Sequence, residues 1–178
     1  MAKLRKFSAY RRVERPYTRR SKFKKKNFIK ANPHSKIVRY EMGAKKKSFE
    51  YTLELLSKEV LQVRHNAIEA ARETSNRVLE KNCGKGAYFM QIMIYPHHIL
   101  RENPLAAGAG ADRMSTGMKM SFGKPIGSAA QVKKGQKLFI VRVNKLNLKF
   151  AREALKRVSS KLPCSCTINQ VENLKGVA

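Results

Sequence analysis

Four side chains near the middle of the chain have the types that hydrolytic chemistry uses: His97, His98, Asp112 and Ser115. Such groups act together only when they meet in space within hydrogen-bond distance, and closeness in sequence does not establish that meeting. A chain with 4 His and 12 Asp+Glu residues also offers few acid–base groups. We therefore expect no catalytic residues and interpret His97 and His98 as hydrogen-bonding groups for phosphate, ribose or the protein's own backbone.

Two glycines in the same region, Gly108 and Gly110, resemble the beginning of a dinucleotide-binding fingerprint. The third glycine is replaced by Arg113, no strand leads directly into the segment, and no clear helix leaves it. The phosphate-binding loop of nucleotide hydrolases does not fit either, because Gly117 is followed by Met118. We expect no cofactor and interpret the glycines as room for the backbone to approach a crowded partner.

The three cysteines, Cys83, Cys164 and Cys166, cannot all pair within one chain, and we interpret them as reduced thiols of an intracellular protein. Cys164 and Cys166 are too close together for the common Cys-x-x-Cys zinc knuckle, and no second half follows them. Alternating residues share one face of a strand, so we predict two small apolar side chains there and no metal site.

Charge indicates the kind of partner. The 178 residues contain 39 Lys+Arg and 12 Asp+Glu, a formal net charge of +27. A small protein with this charge repels itself unless a polyanion neutralises it, so we expect a nucleic-acid partner. No apolar run approaches the roughly 20 residues of a membrane-spanning helix, and the basic amino terminus lacks the apolar segment of a signal peptide. We therefore expect no membrane association.

The basic residues are concentrated in residues 1–30, which hold 13 Lys and Arg and the single acid Glu14. A segment of that charge density does not collapse alone in water. Aromatic residues recur among the cations, and nucleic-acid bases stack on such rings. We predict a binding arm over 1–34 and a single globular domain over 35–178. The aromatic residues of the arm are Phe7, Tyr10, Tyr17, Phe23 and Phe28.

Hydrophobic periodicity predicts the elements of the domain. Residues 36–42 read as a short strand, and 49–55 alternate as a strand with one buried face. Ser57 is the expected N-cap of a long helix that ends before Gly84. The predicted stripe of that helix is Val60, Leu61, Val63, Ala67, Ile68, Ala71, Val78 and Leu79, and the buried face of the strand is Phe49, Tyr51, Leu53 and Leu55.

Three more strands are predicted over 87–95, 128–132 and 137–143, the last two joined as a hairpin by the basic turn 133–136. Asn147 is the expected cap of a second helix that Leu162 and Pro163 end, and 165–171 reads as a final strand. This order predicts an α+β sandwich of two helices packed on a largely antiparallel sheet, with a basic N-terminal arm and a long glycine-rich loop.

That loop, residues 103–117, consists largely of small residues and is long for a connection, since most connections have about 4–6 residues. Long connections in compact domains are usually functional or disordered. Cations and histidines flank it: His97, His98 and Arg101 before it, and Lys119 and Lys124 after it. We predict that this loop is the working end of the protein.

The same region carries a family resemblance. Residues 95–103 (Tyr-Pro-His-His-Ile-Leu-Arg-Glu-Asn), 108–118 (Gly-Ala-Gly-Ala-Asp-Arg-Met-Ser-Thr-Gly-Met) and 122–127 (Phe-Gly-Lys-Pro-Ile-Gly) closely resemble the archaeal and eukaryotic ribosomal protein family ten-e, counterpart of bacterial large-subunit protein sixteen. Shorter matches at 15–19, 35–38, 69–72 and 82–85 extend the resemblance over nearly the whole chain. The chain ends at Ala178 without the longer tail of eukaryotic members, so we expect an archaeal source.

The resemblance implies a hammerhead-like sheet and a constituent of the large ribosomal subunit in the cytoplasm, beside neighbouring subunit proteins and without self-association. It implies binding of large-subunit rRNA, and a loop near the acceptor ends of tRNA in the A and P sites at the peptidyl transferase centre. The rRNA-binding residues that we predict from the charge and aromatic pattern are Lys3, Arg5, Lys6, Arg11, Arg12, Arg15, Tyr17, Arg19, Arg20, Lys22, Lys24, Lys25, Lys45, Lys46, Lys47, Lys85, His97, His98, Arg101, Lys119 and Lys124. The implied tRNA-proximal residues are Asn103, Ala107, Gly108, Ala109, Gly110, Ala111, Asp112, Arg113, Met114, Ser115, Thr116 and Gly117.

Two other classes of protein remain as alternatives. A free-standing RNA chaperone or architectural nucleic-acid binder would bind many RNAs with a steep salt dependence and no preference for rRNA. A small RNA-processing enzyme would need His97, His98 or Asp112 for turnover.

Overall fold

The computed structural model describes residues 5–13, 23, 25, 33–103 and 123–173. They form two helices and two antiparallel sheets, which confirms the predicted α+β class. A 3-10 turn lies at Phe7–Tyr10 and another at Lys145–Asn147. The strands and helices are β1 (Glu41–Gly43), β2 (Tyr51–Ser57), β3 (Leu61–Arg64), α1 (His65–Cys83), β4 (Tyr88–Ile92), β5 (His98–Glu102), β6 (Lys124–Val132), β7 (Lys137–Val143), α2 (Leu148–Lys161) and β8 (Cys166–Glu172).

The larger sheet has the strand order β1-β4-β7-β2-β8 and carries the main core. Leu53 of β2 is opposite Val141 of β7, which is opposite Met90 of β4, so side chains with no exposed surface form a row across the sheet. Helices α1 and α2 pack against each other, and α2 also contacts β7 and β2. Burial of the apolar faces of both helices and the sheet is the main stabilising contribution.

The smaller sheet has the order β3-β6-β5, and it shows that the predicted hairpin is wrong. Strand β6 pairs with β3 and β5, whereas β7 lies between β4 and β2 in the other sheet. The connecting turn is present, since the Gln136 N–H donates to the Lys133 carbonyl at 3.2 Å and Gly135 has φ +76°. Each strand contains a run of four consecutive buried residues, so alternation did not reveal that β6 and β7 belong to different sheets.

The predicted start of the first helix is also wrong. Helix α1 begins at His65, because Leu61–Arg64 pair with β6 as β3. Ser57 ends β2, where its hydroxyl accepts from the Glu59 N–H at 3.3 Å and donates to the Glu59 carbonyl at 2.8 Å. Val60, expected in the buried stripe, is 62% exposed. Leu61 and Val63 were assigned to the buried stripe of a helix, but their alternation also fits a strand. Pairing with β6 decides between the two and makes this segment a strand.

The remaining elements differ mainly at their ends. Only Glu41–Gly43 of the predicted 36–42 strand is a strand, the 87–95 strand shortens to Tyr88–Ile92, and β5 was not predicted. Helix α2 and β8 lie where expected, and Gly84 ends α1 with φ +80°. Asn147 does precede α2, but its side chain makes no capping hydrogen bond.

Candidate nucleic-acid interface

The two ends of the predicted loop lie side by side in the small sheet. Strands β5 and β6 are antiparallel with Glu102 opposite Lys124 and Arg101 opposite Pro125, so segment 103–123 joins two neighbouring strand ends. Asn103 is half-buried at this root. The other predicted tRNA-proximal residues, Ala107 to Gly117, lie outside the described residues.

Gly123 closes the root by close backbone approach. A Cβ at this position would lie 2.6 Å from the Glu102 carbonyl carbon, 2.8 Å from its oxygen and 2.9 Å from the Asn103 nitrogen. Contacts below 3.0 Å to backbone require a shift of the main chain. The two ends of the loop can therefore approach this closely only with glycine here.

Part of the basic arm is anchored beside this root. The Tyr10 hydroxyl donates to Glu102 Oε2 at 2.9 Å, and Arg5 Nε forms an ion pair with Glu102 Oε1. Tyr10 is 4% exposed and packs with Leu100 and Ala129. Burial raises the pKa of Tyr10, and the hydrogen bond to Glu102 adds to this. Its ring therefore belongs to the protein core, which corrects our expectation that it stacks on bases.

Strand β3 holds the same segment from the other side. Gln62 Nε2 donates to the carbonyls of Tyr10, at 3.3 Å, and Arg12. The Arg64 guanidinium donates to the Arg5 carbonyl at 2.8 Å and lies 6.0 Å from the centre of the Tyr10 ring. Residues 5–12 thus cross the small sheet from β3 to β5. This path exposes the predicted RNA-binding cations Arg5, Lys6, Arg11 and Arg12.

A second group of cations gathers at one end of the β1–β4 ladder. Gly43 is opposite Phe89, and the Ala44 N–H donates to the Tyr88 carbonyl at 2.9 Å, so turn 44–47 lies beside the turn that precedes β4. The first of these turns carries Lys45, which pairs with Glu41 at 2.6 Å. The exposed cations of the two turns are Lys45, Lys46, Lys47 and Lys85.

The two histidines have different environments. His97 is exposed and stacks obliquely on Tyr95, with ring centres 4.5 Å apart. His98, in β5, is only 4% exposed. Burial lowers the pKa of His98, and the positive charge of Arg101 lowers it further. Of these two histidines, His97 is therefore the one exposed at the surface. The burial of His98 favours the alternative in which its side chain hydrogen-bonds within the protein.

The thiols Cys164 and Cys166 follow the expected alternation, with Cys164 buried and Cys166 half-buried at the start of β8. Their sulfur atoms lie 3.6 Å apart. A hydrogen bond from the Cys164 thiol lowers the pKa of Cys166 to about 7, and the same contact together with burial raises the pKa of Cys164. Across the described ranges, no group of three or more His, Cys, Asp or Glu side chains is placed to hold a metal ion.

Some of the other predicted interface residues are among the described residues, and the rest are not. Lys25 and Lys124 are exposed and Arg101 is half-buried. The sequence did not identify Glu102 and Gln62 as the anchors of the arm, because only strand register brings them to residues 5–12. Outside the described residues lie Lys3, Arg15, Tyr17, Arg19, Arg20, Lys22, Lys24 and Lys119. None of the helices described is long and apolar enough to cross a membrane.

A small α+β protein with a net charge of +27 and exposed clusters of cations among its described residues has the electrostatic character of the polyanion-binding class of proteins. The family model described as "Ribosomal protein L16p/L10e" matches residues 15–169, and the chain belongs to this family. This confirms the predicted family, and since its members are ribosomal proteins it agrees with the expectation of a structural rather than an enzymatic role.

Relatives at high identity carry the same name. The chain is 46% identical to "Large ribosomal subunit protein uL16" of Methanococcus maripaludis strain S2 over 93% of this chain and 92% of the relative. It is 47% identical to the protein of that name from Staphylothermus marinus, over 86% of this chain and 84% of the relative. The Archaeoglobus fulgidus protein is 44% identical over 86% of this chain and 85% of the relative.

Proposed function

We propose that this protein is a structural constituent of the large ribosomal subunit that binds large-subunit rRNA in the cytoplasm, beside neighbouring subunit proteins and without self-association. The observation that carries this is the outward placement of cations at two anchored sites, residues 5–12 on the small sheet and the 45–47 and 85 turns. The name of the relatives, large ribosomal subunit protein uL16, supports the same assembly.

The proposed binding is dominated by phosphate contacts. Lys and Arg side chains that neutralise phosphates release counterions and fix the protein's register without reading sequence. The ion pairs that Arg5, Arg11 and Lys45 make with carboxylates hold these side chains near the surface that faces RNA. Residues 1–34 act as the RNA-binding arm in this proposal, with 5–12 as the part already anchored on domain 35–178.

The loop over 103–117 has a separate proposed role near tRNA. Strand pairing up to Glu102 and Lys124 and the close approach at Gly123 give the loop a fixed base. From that base we propose that it extends toward the acceptor ends of tRNA in the A and P sites. Its contribution to peptide transfer is positional, since correct placement of reactants lowers the barrier without any catalytic side chain.

Sucrose-gradient fractionation tests the assembly. The tagged full-length chain expressed in an archaeal host is expected to sediment with the large subunit and with translating ribosomes. Washing with high salt before the gradient distinguishes a built-in constituent from a loosely bound protein, because exposed ion pairs are screened by salt. Recovery chiefly in free fractions during active growth contradicts the proposal.

Deletion of residues 106–112 tests the loop alone. The paired ends of β5 and β6 are retained, so the domain is expected to fold and enter the subunit, while tRNA accommodation or late subunit maturation is impaired. A matched variant replaces 106–112 by a Gly-Ser segment of the same length and separates the need for these residues from the need for reach. Normal translation by subunits shown to contain the deleted protein would refute the tRNA role.

A further inference from the structure

A row of three aromatic rings lies beside the interface already described. Tyr40 and Tyr95 stack with ring centres 5.4 Å apart and planes 22° apart, and Tyr95 in turn contacts His97 at 4.5 Å. Tyr40 is half-buried, whereas His97 is exposed and Tyr95 is 48% exposed. The row therefore begins inside the domain and ends at the surface.

Its exposed end borders a cleft of about 380 Å³, which is lined by the connection between β4 and β5, by β5 and β6, and by the turn before β7. Apolar groups from Met93, Ile94 and Ala130 line it, together with the amides of Gln131 and Gln136. Small-molecule sites occupy about 300–1,000 Å³ and combine an apolar lining with a few polar groups that fix orientation. A cleft at the lower end of that range suits a flat group with polar edges.

One amide in the cleft is oriented in advance. Gln136 Oε1 accepts a hydrogen bond from the Lys133 N–H at 2.9 Å, so its NH₂ group is the end left to donate to an incoming acceptor. His98 also lines the cleft, and burial lowers the pKa of this histidine so that its neutral form is favoured. The residues that line the cleft include no Lys, Arg, Asp or Glu, and their amide and imidazole groups offer hydrogen bonds.

We propose that this cleft binds one unpaired nucleobase of RNA, with Tyr95 and His97 as the stacking surface and the Gln136 amide at the polar edge of the base. Single-stranded RNA is recognised by splaying bases onto aromatic rings and reading their edges. The charge of the surroundings matches this occupant, because exposed Lys133 and Lys134 lie in the same turn as Gln136 and can neutralise flanking phosphates.

The inference rests on the proposed RNA-binding function and adds a site to it. Its test compares the full-length protein on two probes of equal length, a single-stranded oligoribonucleotide containing one 2-aminopurine and an oligonucleotide with abasic sites throughout. Base stacking contributes about 1–3 kcal/mol per base, which is a preference of about 5- to 150-fold for the base-bearing probe. The fluorescence of 2-aminopurine reports the stacking itself.

Tyr95→Leu removes the ring and keeps apolar bulk, so it is expected to lower affinity for the base-bearing probe at least fivefold and to leave abasic binding unchanged. Tyr95→Phe keeps the ring and is expected to behave as wild type. Leu146→Ala is the control, because Leu146 is 91% exposed and is not among the residues that line the cleft. His97→Ala, at an exposed position, repeats the test should Tyr95→Leu fail to fold.

The outcomes separate this inference from the function on which it rests. Equal affinity of wild type, Tyr95→Leu and His97→Ala for the base-bearing probe overturns the base site, even when the protein still enters the large subunit. Failure of the wild type to enter that subunit overturns the proposed function instead. In assembled subunits, the expected result is a base that reacts with dimethyl sulfate only when Tyr95→Leu or His97→Ala is present.

Discussion

At the scale of single residues, Gly123 shows how one missing side chain determines where a loop begins. Gly123→Ala places a Cβ 2.6 Å from the Glu102 carbonyl carbon, so the backbone at the loop root must shift. We expect the free energy of unfolding to fall by about 1–3 kcal/mol, the usual cost of overpacking. Urea denaturation of the purified chain measures this.

Gly86→Ala is the control for that substitution, because a Cβ there meets no atom within 4 Å. We expect a change within about 0.5 kcal/mol, as for most surface positions. Equal stability of Gly123→Ala and wild type would show that the root is not closed as described.

We predict that mild acidification lowers the free energy of unfolding, because His65 and His98 are buried. His65 Nδ1 accepts the Lys36 N–H at 3.3 Å, and burial lowers the pKa of His65, with the charges of Lys36 and Arg64 adding to the effect. Burial likewise lowers the pKa of His98. The unfolded chain therefore binds these protons more readily, and stability present above the unfolded pKa of about 6.5 is lost as pH falls through the lowered values.

Urea denaturation at several pH values between about 7.5 and 5 tests this, above the range where most carboxylates titrate. His65→Gln keeps an acceptor for the Lys36 N–H and is expected to flatten the acid limb of the stability curve. An unchanged acid limb in His65→Gln would contradict the assignment.

At the scale of elements, the two residues predicted as helix caps have different roles. Ser57 makes two hydrogen bonds to Glu59 in the turn after β2 and is 2% exposed, while Asn147 makes no side-chain capping bond before α2. Ser57→Ala is expected to cost about 1–2 kcal/mol because a polar backbone group loses its partner. Asn147→Ala should change stability by less than about 0.5 kcal/mol.

Thermal or urea unfolding of the two variants side by side gives this comparison directly. An authentic N-cap would instead cost about 1 kcal/mol at Asn147. A larger loss at Asn147 than at Ser57 would mean that α2 depends on a cap the structure does not show.

The sequence predicted the type and position of most helices and strands better than it predicted which strands pair with each other. Strict alternation at 49–55 and the periodic stripe of α2 each allow one arrangement. Both elements were predicted with the correct type, although β2 begins two residues later and ends two residues later than expected, at Tyr51 and Ser57. Leu61 and Val63 satisfy helical and strand spacing equally, so only pairing with β6 decides that they form β3. The same holds for the candidate interface. Charge predicts that Lys45–Lys47 bind RNA, whereas only strand register and packing show that Glu102 anchors the arm.

At the scale of the whole molecule, the exposed cations of the described residues lie on distinct surfaces of the domain. The anchored residues 5–12 lie on the small sheet, the 45–47 and 85 turns lie at an end of the large sheet, and α2 exposes a third set. A protein with a defined binding site on rRNA contacts the RNA through particular surfaces, whereas the affinity of a general polyanion binder depends only on its total charge. The two cases can be distinguished by removing the same number of positive charges from one surface or from another and comparing the effect on RNA binding.

Two triple variants make that measurement. Lys45, Lys46 and Lys47 are changed to Ala in one, and the exposed α2 residues Lys149, Arg152 and Lys156 are changed to Ala in the other, so both lose three positive charges. Each phosphate contact contributes about 0.7–0.9 to the slope of log affinity against log salt concentration. For binding to large-subunit rRNA, the first variant is therefore expected to lower the slope by about 2–3 and the second to change it little. Equal losses would indicate attraction to net charge alone, and would favour a free-standing RNA chaperone over a protein with a defined place in the subunit.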